Sequence, residues 1–264
     1  MYIINNKMNN KMHLKTSTYA YKSLSTASLS ITVHHPPQEF DGVQCPALIF
    51  FHGGAWKEGS ADQFMHQSIY LASKGIVCFT VEYRVSSRHG STPFDSLIDA
   101  KDAVKWVRDN SDIFGINPLK IVVAGGSAGG HLAACCAIIK SPQYDTNEIY
   151  QIPKAMVLFN PVLDTIENNY IFKLYGRQLA DISPMHHVTG GLPPAIIFQG
   201  EKDEIVPYQS CIKFRDIMMQ NKNQCILRLY PNQEHGFFNF NENNNPFYWE
   251  TLLETEKFIC SVEF

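Results

Sequence analysis

Ser127 lies in a stretch that could present a reactive hydroxyl, Gly125-Gly126-Ser127-Ala128-Gly129. The β-branched residues at 121–123 predict a buried strand before it, and the small residues from His131 onward predict a helix after it. In a G-x-S-x-G turn between a strand and a helix, the serine occupies a sharp, strained backbone. We expect glycine at the flanking positions because a Cβ there would collide with the neighbouring helix and strand. Taken alone, the stretch also fits a phosphate cradle or plain packing.

An acid and a histidine follow two later apolar runs, in the chain order Ser127, Asp203, His235. Because parallel strands end at one edge of a sheet, we expect the three side chains to converge there. A serine hydroxyl is a weak nucleophile and needs a base within hydrogen-bond reach, for which we predict His235. We predict Asp203, in preference to Glu201 and Glu204, as the acid that holds the imidazole. This set would support nucleophilic attack on a carbonyl group.

A glycine-rich turn, His52-Gly53-Gly54-Ala55-Trp56, directly follows the apolar run 47–51. Attack on a carbonyl creates an oxyanion, which preorganised hydrogen-bond donors stabilise by about 3 to 4 kcal/mol each. We predict the backbone N–H groups of Gly54, Ala55 and Ala128 as these donors. His52 is interpreted as a residue that holds the turn in place.

Apolar strands alternate with helical patterns along the chain, which predicts an α/β fold with a mostly parallel sheet flanked by helices. The predicted strands are 28–34, 47–51, 76–81, 120–126, 155–159, 195–198 and 224–230. The predicted helices are 62–74, 93–110, one beginning near 131, 208–220 and 246–260. We predict one catalytic domain over residues 26–264, preceded by a variable polar segment at residues 1–25.

The 264 residues include 45% hydrophobic and 18% charged side chains, and the net charge is −3. This charge gives no reason to expect a nucleic-acid partner, and no apolar run reaches the roughly 18 residues of a membrane span. The first fifteen residues lack the apolar stretch of a signal peptide, so we expect a cytoplasmic protein. A different native start would leave secretion open.

Metal ligation is not indicated by the cysteines or the paired histidines. The seven cysteines show no C-x-x-C spacing, and most lie in apolar patterns where cysteine acts as a small hydrophobe. The pairs His34-His35 and His186-His187 would point to opposite faces of an extended strand. We therefore predict no metal and no cofactor, and the sequence does not indicate an oligomeric state.

Four motifs resemble those of α/β-hydrolase esterases with an HGG-type oxyanion loop: GGSAGGHLA, HGGAW, GEKDEIVP and EHGF. The likeness is greatest to acetylxylan and feruloyl esterases, through HGGAWKEGS, EYRVSS and SPMHHVTGGLPPAIIFQG. It runs from about residue 28 to about residue 260. It implies the same triad and the same oxyanion donors as the residues predict above. Two positions depart from the common pattern: Ala55 replaces a third glycine, and Glu82 replaces an aspartate.

The longest insertion at the predicted active edge is Asn160–Gly191, which we expect to be irregular and too short for a large cap domain. Loops at this edge set specificity, so Tyr170 and Tyr175 are candidate cleft residues. The alternative is a surface loop that packs on the sheet edge. Trp56 is a further candidate for the cleft wall, because it adjoins the oxyanion turn.

These observations predict a serine esterase that hydrolyses short-acyl carboxylic esters through an acyl-enzyme, with a small-molecule substrate. The resemblance implies that the ester is an acetylated carbohydrate, in which a sugar is the alcohol part. A kynurenine formamidase or an oligopeptidase-type hydrolase would use the same residues and remains an alternative. A non-catalytic ligand receptor on this scaffold is disfavoured because serine, acid and histidine are all present.

Overall fold

Alternating and continuous apolar runs form one sheet of eight strands in the computed structural model, which describes residues 14–25, 27–140, 152–241 and 245–262. The strands are β1 (Thr16–Ser23), β2 (Ser28–His34), β3 (Cys45–Phe51), β4 (Val77–Val81), β5 (Ile116–Gly126), β6 (Ala155–Phe159), β7 (Ala195–Gly200) and β8 (Cys225–Tyr230). Their order in the sheet is β1-β2-β4-β3-β5-β6-β7-β8. The β1–β2 and β2–β4 pairs are antiparallel, and the pairs from β4 through β8 are parallel.

Helices cover both faces of this sheet. They are α1 (Met65–Ala72), α2 (Ser86–His89), α3 (Pro93–Asp109), α4 (Ser111–Phe114), α5 (Ala128–Ile138), α6 (Asn169–Tyr175), α7 (Tyr208–Gln220) and α8 (Pro246–Ser261). Short 3₁₀ turns lie at Gln38–Phe40, Ala61–Phe64, Ala180–Ile182 and Pro184–His187. The predicted α/β class with a mostly parallel sheet is confirmed.

Successive residues of β3 pack into different cores because side chains alternate across a strand. Ile49 and Phe51 join the apolar cluster beneath α3, α5 and α7. Leu48 and Phe50 join the cluster beneath α1 and α8. The central strands therefore carry apolar side chains on both faces, as expected for buried parallel strands.

Two elements differ from the sequence-based expectation. Strand β1 lies inside the segment 1–25 that we predicted to precede the domain, and it pairs with β2 along its length. The predicted boundary at residue 25 therefore falls within the sheet. The insertion Asn160–Gly191, predicted to be irregular, contains helix α6 and two 3₁₀ turns. Among the described residues, no helix is both long and apolar enough to cross a bilayer.

A buried carboxylate joins β1 to the rest of the fold. Asp99 on α3 has a fully buried side chain and accepts hydrogen bonds from the Lys22 ammonium at 2.7 Å and the Arg84 Nε at 2.7 Å. Arg84 Nη2 adds a further bond at 2.9 Å. Lys22 lies on β1 and Arg84 follows β4, so one carboxylate connects a helix with an edge strand and a central loop.

We predict that Asp99→Asn lowers the free energy of unfolding by about 3 kcal/mol, because it removes the buried carboxylate that two partly buried cations share and leaves them only the more exposed Asp102 and Asp95. Urea unfolding measures the change. The matched control is Asp109→Asn, which removes an ion pair with Lys105 whose side chains are 57% and 52% exposed. The control should cost less than about 1 kcal/mol. Equal losses in the two variants would contradict the assigned role of Asp99.

Candidate active site

Ser127 forms the sharp turn between β5 and α5, with φ +55° and ψ −116°. A residue other than glycine rarely adopts this positive φ, so the turn stores strain. Its flanking glycines are required by space: a Cβ on Gly125 would lie 2.3 Å from the Gly129 carbonyl oxygen. A Cβ on Gly129 would lie 2.0 Å from the Phe51 carbonyl oxygen of β3. The predicted strand–turn–helix and the predicted reason for its glycines are confirmed.

Asp203 follows β7 and is a buried carboxylate. Its Oδ1 accepts the backbone N–H groups of Ile205 and Val206, each at 2.9 Å. Its Oδ2 accepts the side-chain amides of Asn160 at 2.6 Å and Gln199 at 3.1 Å. Each oxygen is therefore fully hydrogen-bonded, as a buried carboxylate requires.

The imidazole of His235 completes the environment of Asp203. His235 Nδ1 donates to Asp203 Oδ2 at 2.7 Å, and the other ring nitrogen, Nε2, is left for a partner in the cleft. Burial by itself raises the pKa of Asp203, but the hydrogen bond and charge of His235, together with the two backbone N–H groups, outweigh it and hold the pKa below its ordinary value. Glu201 and Glu204 are exposed, so the acid beside the histidine is Asp203.

The turn after β3 presents two peptide N–H groups, and the carbonyl of each of these peptides is anchored. The Gly53 carbonyl accepts from His52 Nδ1 at 2.7 Å, which fixes the peptide that carries the Gly54 N–H. The Gly54 carbonyl accepts from the N–H groups of Lys57 and Glu58 at 2.9 and 3.0 Å, which fixes the peptide that carries the Ala55 N–H.

The three N–H groups predicted as oxyanion donors, those of Gly54, Ala55 and Ala128, have no hydrogen-bond partner within the described parts of the chain.

Burial lowers the pKa of His52, so its ring stays neutral at neutral pH. A neutral ring that donates to a carbonyl matches the interpretation of His52 as a residue that holds the turn.

Gln63 is a site residue that sequence reasoning missed. Its Oε1 accepts the Gly53 N–H at 2.7 Å, and its Nε2 donates to Asn239 Oδ1 at 3.0 Å. Asn239 lies four residues after His235, so the pair connects the oxyanion turn with the histidine loop. The sequence indicates only that both residues follow strands of the sheet. It does not predict the hydrogen bond between them, because two amides 176 positions apart form no local pattern.

Ser127 and His235 line the same cleft, which has a volume of about 590 Å³. Gly54, Ala55 and Gln63 also line this cleft, together with several apolar side chains. These apolar residues are Tyr170, Leu174, Ile205 and Phe238. The structure therefore brings the predicted nucleophile, base and oxyanion turn to one opening, and it places Tyr170 in the cleft lining as predicted.

The prediction that Trp56 walls the cleft was wrong. Its side chain is 0% exposed and packs edge-on against His131 and Tyr175, with ring centroids 4.9 and 5.7 Å apart. The physical reason is packing: the large apolar ring joins the buried core cluster, on a backbone with φ +57°. Tyr175 also lies outside the cleft lining, and its hydroxyl instead donates to the Ala55 carbonyl at 2.7 Å.

Comparison with known proteins gives the same fold and class. The chain superposes on esterase 2 of Thermogutta terrifontis, solved as an adduct with tabun, with a TM-score of 0.87 and 36% identity over 94% of this chain and 95% of that one. Other structures of that esterase contain propionate or butyrate. The fold is that of α/β-hydrolase esterases.

The family profile of BD-FAE matches residues 32–176, and the chain belongs to this family. Esterase LipC of Mycobacterium tuberculosis is 31% identical over 73% of this chain and 53% of its own length. An acetylxylan esterase of Xylanibacter ruminicola is 29% identical over 72% of this chain and 41% of its own length. The chain thus spans about half the length of these curated relatives, or less.

We predict that Gly129→Ala lowers the free energy of unfolding by about 3 kcal/mol or more, because the new Cβ meets the backbone of β3, which cannot move aside. The matched control is Gly90→Ala, where φ is +60° but nothing lies within 4 Å of the new Cβ. The control should cost about 1 to 2 kcal/mol from the left-handed backbone alone. Urea unfolding compares the two, and a loss at Gly129 no greater than at Gly90 would refute the packing argument.

Proposed function

We propose that this protein is a serine hydrolase that cleaves carboxylic esters with small acyl groups. Ser127 is the nucleophile, His235 the general base and acid, and Asp203 the residue that orients and stabilises the imidazolium. The observation that carries the proposal is the 2.7 Å bond from His235 Nδ1 to the buried Asp203, with His235 and the strained Ser127 lining one cleft. Each feature has a direct use in ester hydrolysis.

In the proposed reaction, Ser127 Oγ attacks the ester carbonyl carbon while its proton passes to His235 Nε2. The carbonyl oxygen becomes an oxyanion, and the N–H groups of Gly54, Ala55 and Ala128 stabilise it. When the intermediate collapses, the C–O bond to the alcohol breaks and His235 returns the proton to the leaving oxygen. Water, activated by the same histidine, then releases the acid and regenerates the serine.

Two lines of support favour small acyl groups. The Thermogutta esterase, which this chain resembles over nearly its whole length, has been solved with propionate and butyrate. The residues that line the cleft with the nucleophile include the polar Lys57, Glu58 and Asn239 and the apolar Leu174 and Ile205. This mixed lining suits a short acyl chain and a polar alcohol, and the acetylxylan esterase relative supports an acetylated carbohydrate as that alcohol.

A substrate panel tests this proposal. We expect turnover of p-nitrophenyl acetate and butyrate and of an acetylated xylo-oligosaccharide to exceed that of octanoyl and feruloyl esters and of N-formylkynurenine. We expect Ser127→Ala to abolish turnover while circular dichroism and thermal unfolding remain those of the wild type. Activity that survives in Ser127→Ala would remove the serine mechanism, and a preference for N-formylkynurenine would favour the formamidase alternative.

The role of the acid is tested by a matched pair of variants. We expect Asp203→Asn to lower kcat by roughly 10³- to 10⁴-fold, because the neutral amide no longer stabilises the imidazolium or its tautomer. Glu201→Gln makes the same chemical change at an exposed position two residues away and should leave kcat within about twofold. Steady-state kinetics with p-nitrophenyl acetate measures both, and the reverse ranking would reassign the acid.

A further inference from the structure

Asn160, the residue directly after β6, occupies an unusual place in the fold. Its side chain is 0% exposed and its backbone has φ +42°, in the left-handed region that residues other than glycine seldom adopt. Its Oδ1 is buried and has no hydrogen-bond partner among the described residues. Both the strained backbone and the unpaired oxygen cost stability, and such features concentrate at functional sites.

The backbone around Asn160 carries the serine turn. The Phe159 carbonyl accepts the Ser127 N–H at 2.8 Å, and the Val162 N–H donates to the Ser127 carbonyl at 3.3 Å. The Asn160 N–H donates to the Phe198 carbonyl near the end of β7 at 2.9 Å, which ties this turn to the strand that leads to Asp203. The segment 159–162 therefore bonds to both backbone groups of Ser127, its N–H and its carbonyl.

The side chain of Asn160 reaches the acid. Its Nδ2 donates at 2.6 Å to Oδ2 of Asp203, the same oxygen that accepts His235 Nδ1. A donor to the ionised carboxylate stabilises the charged form, and a bond to a charged group is stronger than one between neutral groups. This one residue therefore contacts the acid through its side chain while its neighbours hold the serine.

We propose that Asn160 is a positioning residue that keeps the Asp203 carboxylate ionised and aimed at His235 while it fixes the serine turn relative to the acid. This inference rests on the function proposed above. It accounts for the left-handed backbone, because in that conformation Asn160 makes both the β7 bond and the carboxylate bond from the end of β6. It also accounts for the unpaired Oδ1, since the amide is oriented by its NH₂ group.

The inference implies a pH dependence. The titratable and polar groups that face the Asp203 carboxylate are His235 on its loop, the backbone N–H groups of Ile205 and Val206, and the Gln199 amide. The Cys211 thiol of α7 lies behind Gln199 and donates to Gln199 Oε1. Loss of the Asn160 donor disfavours the ionised carboxylate, so the acidic limb of the pH–rate profile should move to higher pH.

Asn160→Asp keeps the shape and tolerates the same backbone, but it replaces the N–H donor with a second carboxyl group beside Asp203, which disfavours full ionisation of the two carboxyl groups. We expect kcat for p-nitrophenyl acetate to fall at least tenfold, KM to stay within about threefold, and the acidic limb of kcat/KM to move up by about one pH unit. Asn160→Gly removes the donor without adding a charge and relieves the backbone, so it is the more direct test of the donor and should shift the limb in the same direction. Asn232→Asp is the control, since Asn232 is exposed and has φ +64°; it should match the wild type.

The outcomes separate the inference from the function on which it rests. If Asn160→Asp and Asn160→Gly keep wild-type kcat, or lose kcat with the acidic limb unmoved, the positioning role is overturned. Failure of both variants to fold also overturns it, because Asn160 would then be a structural residue. Activity that survives in Ser127→Ala refutes the serine mechanism itself, whereas an inactive Ser127→Ala beside wild-type Asn160 variants refutes only the inference.

Discussion

The close approach of three backbone segments at the end of β5 is the constraint on which the rest of the site depends. Ser127 can take its left-handed φ and rise above the sheet because Gly125 and Gly129 carry no Cβ where α5 and the end of β3 meet. The same contact sets α5 against Phe51 and His52, the residues that lead into the oxyanion turn. The position of the serine and that of the proposed oxyanion donors are therefore fixed by one packing arrangement.

The buried Asp203 carboxylate imposes a second requirement. A charge removed from water is stable only when it is fully hydrogen-bonded, and five donors from four segments meet here: two adjacent backbone N–H groups, the amides of Asn160 and Gln199, and the imidazole of His235. Because these donors come from the residue after β6, from β7 and from two loops, the carboxylate orders the edge of the sheet that carries the candidate site. The histidine is held by a group that cannot itself move without breaking several bonds.

What the sequence predicted, and what it did not, follows from the range of each interaction. The serine turn, its glycines and the parallel sheet are encoded in adjacent residues and were predicted. The bonds made by Asn160 and Gln63 join segments far apart in the chain and leave no periodic or local signal. The prediction for Trp56 was wrong because the residue type reveals neither its left-handed φ nor the burial of its ring. Strand β1 was missed because only one side of this edge strand packs on the protein, so its apolar alternation is weak.

The central claim is that Ser127 is the reactive group of this protein, activated by His235 and Asp203. Its most direct test is covalent labelling with a p-nitrophenyl phosphonate ester, followed by peptide mass spectrometry. The account predicts that loss of activity parallels the release of one equivalent of p-nitrophenol and that the phosphonyl group is found on Ser127. Complete inactivation with the group on another residue, or full activity in protein labelled at Ser127, would contradict it.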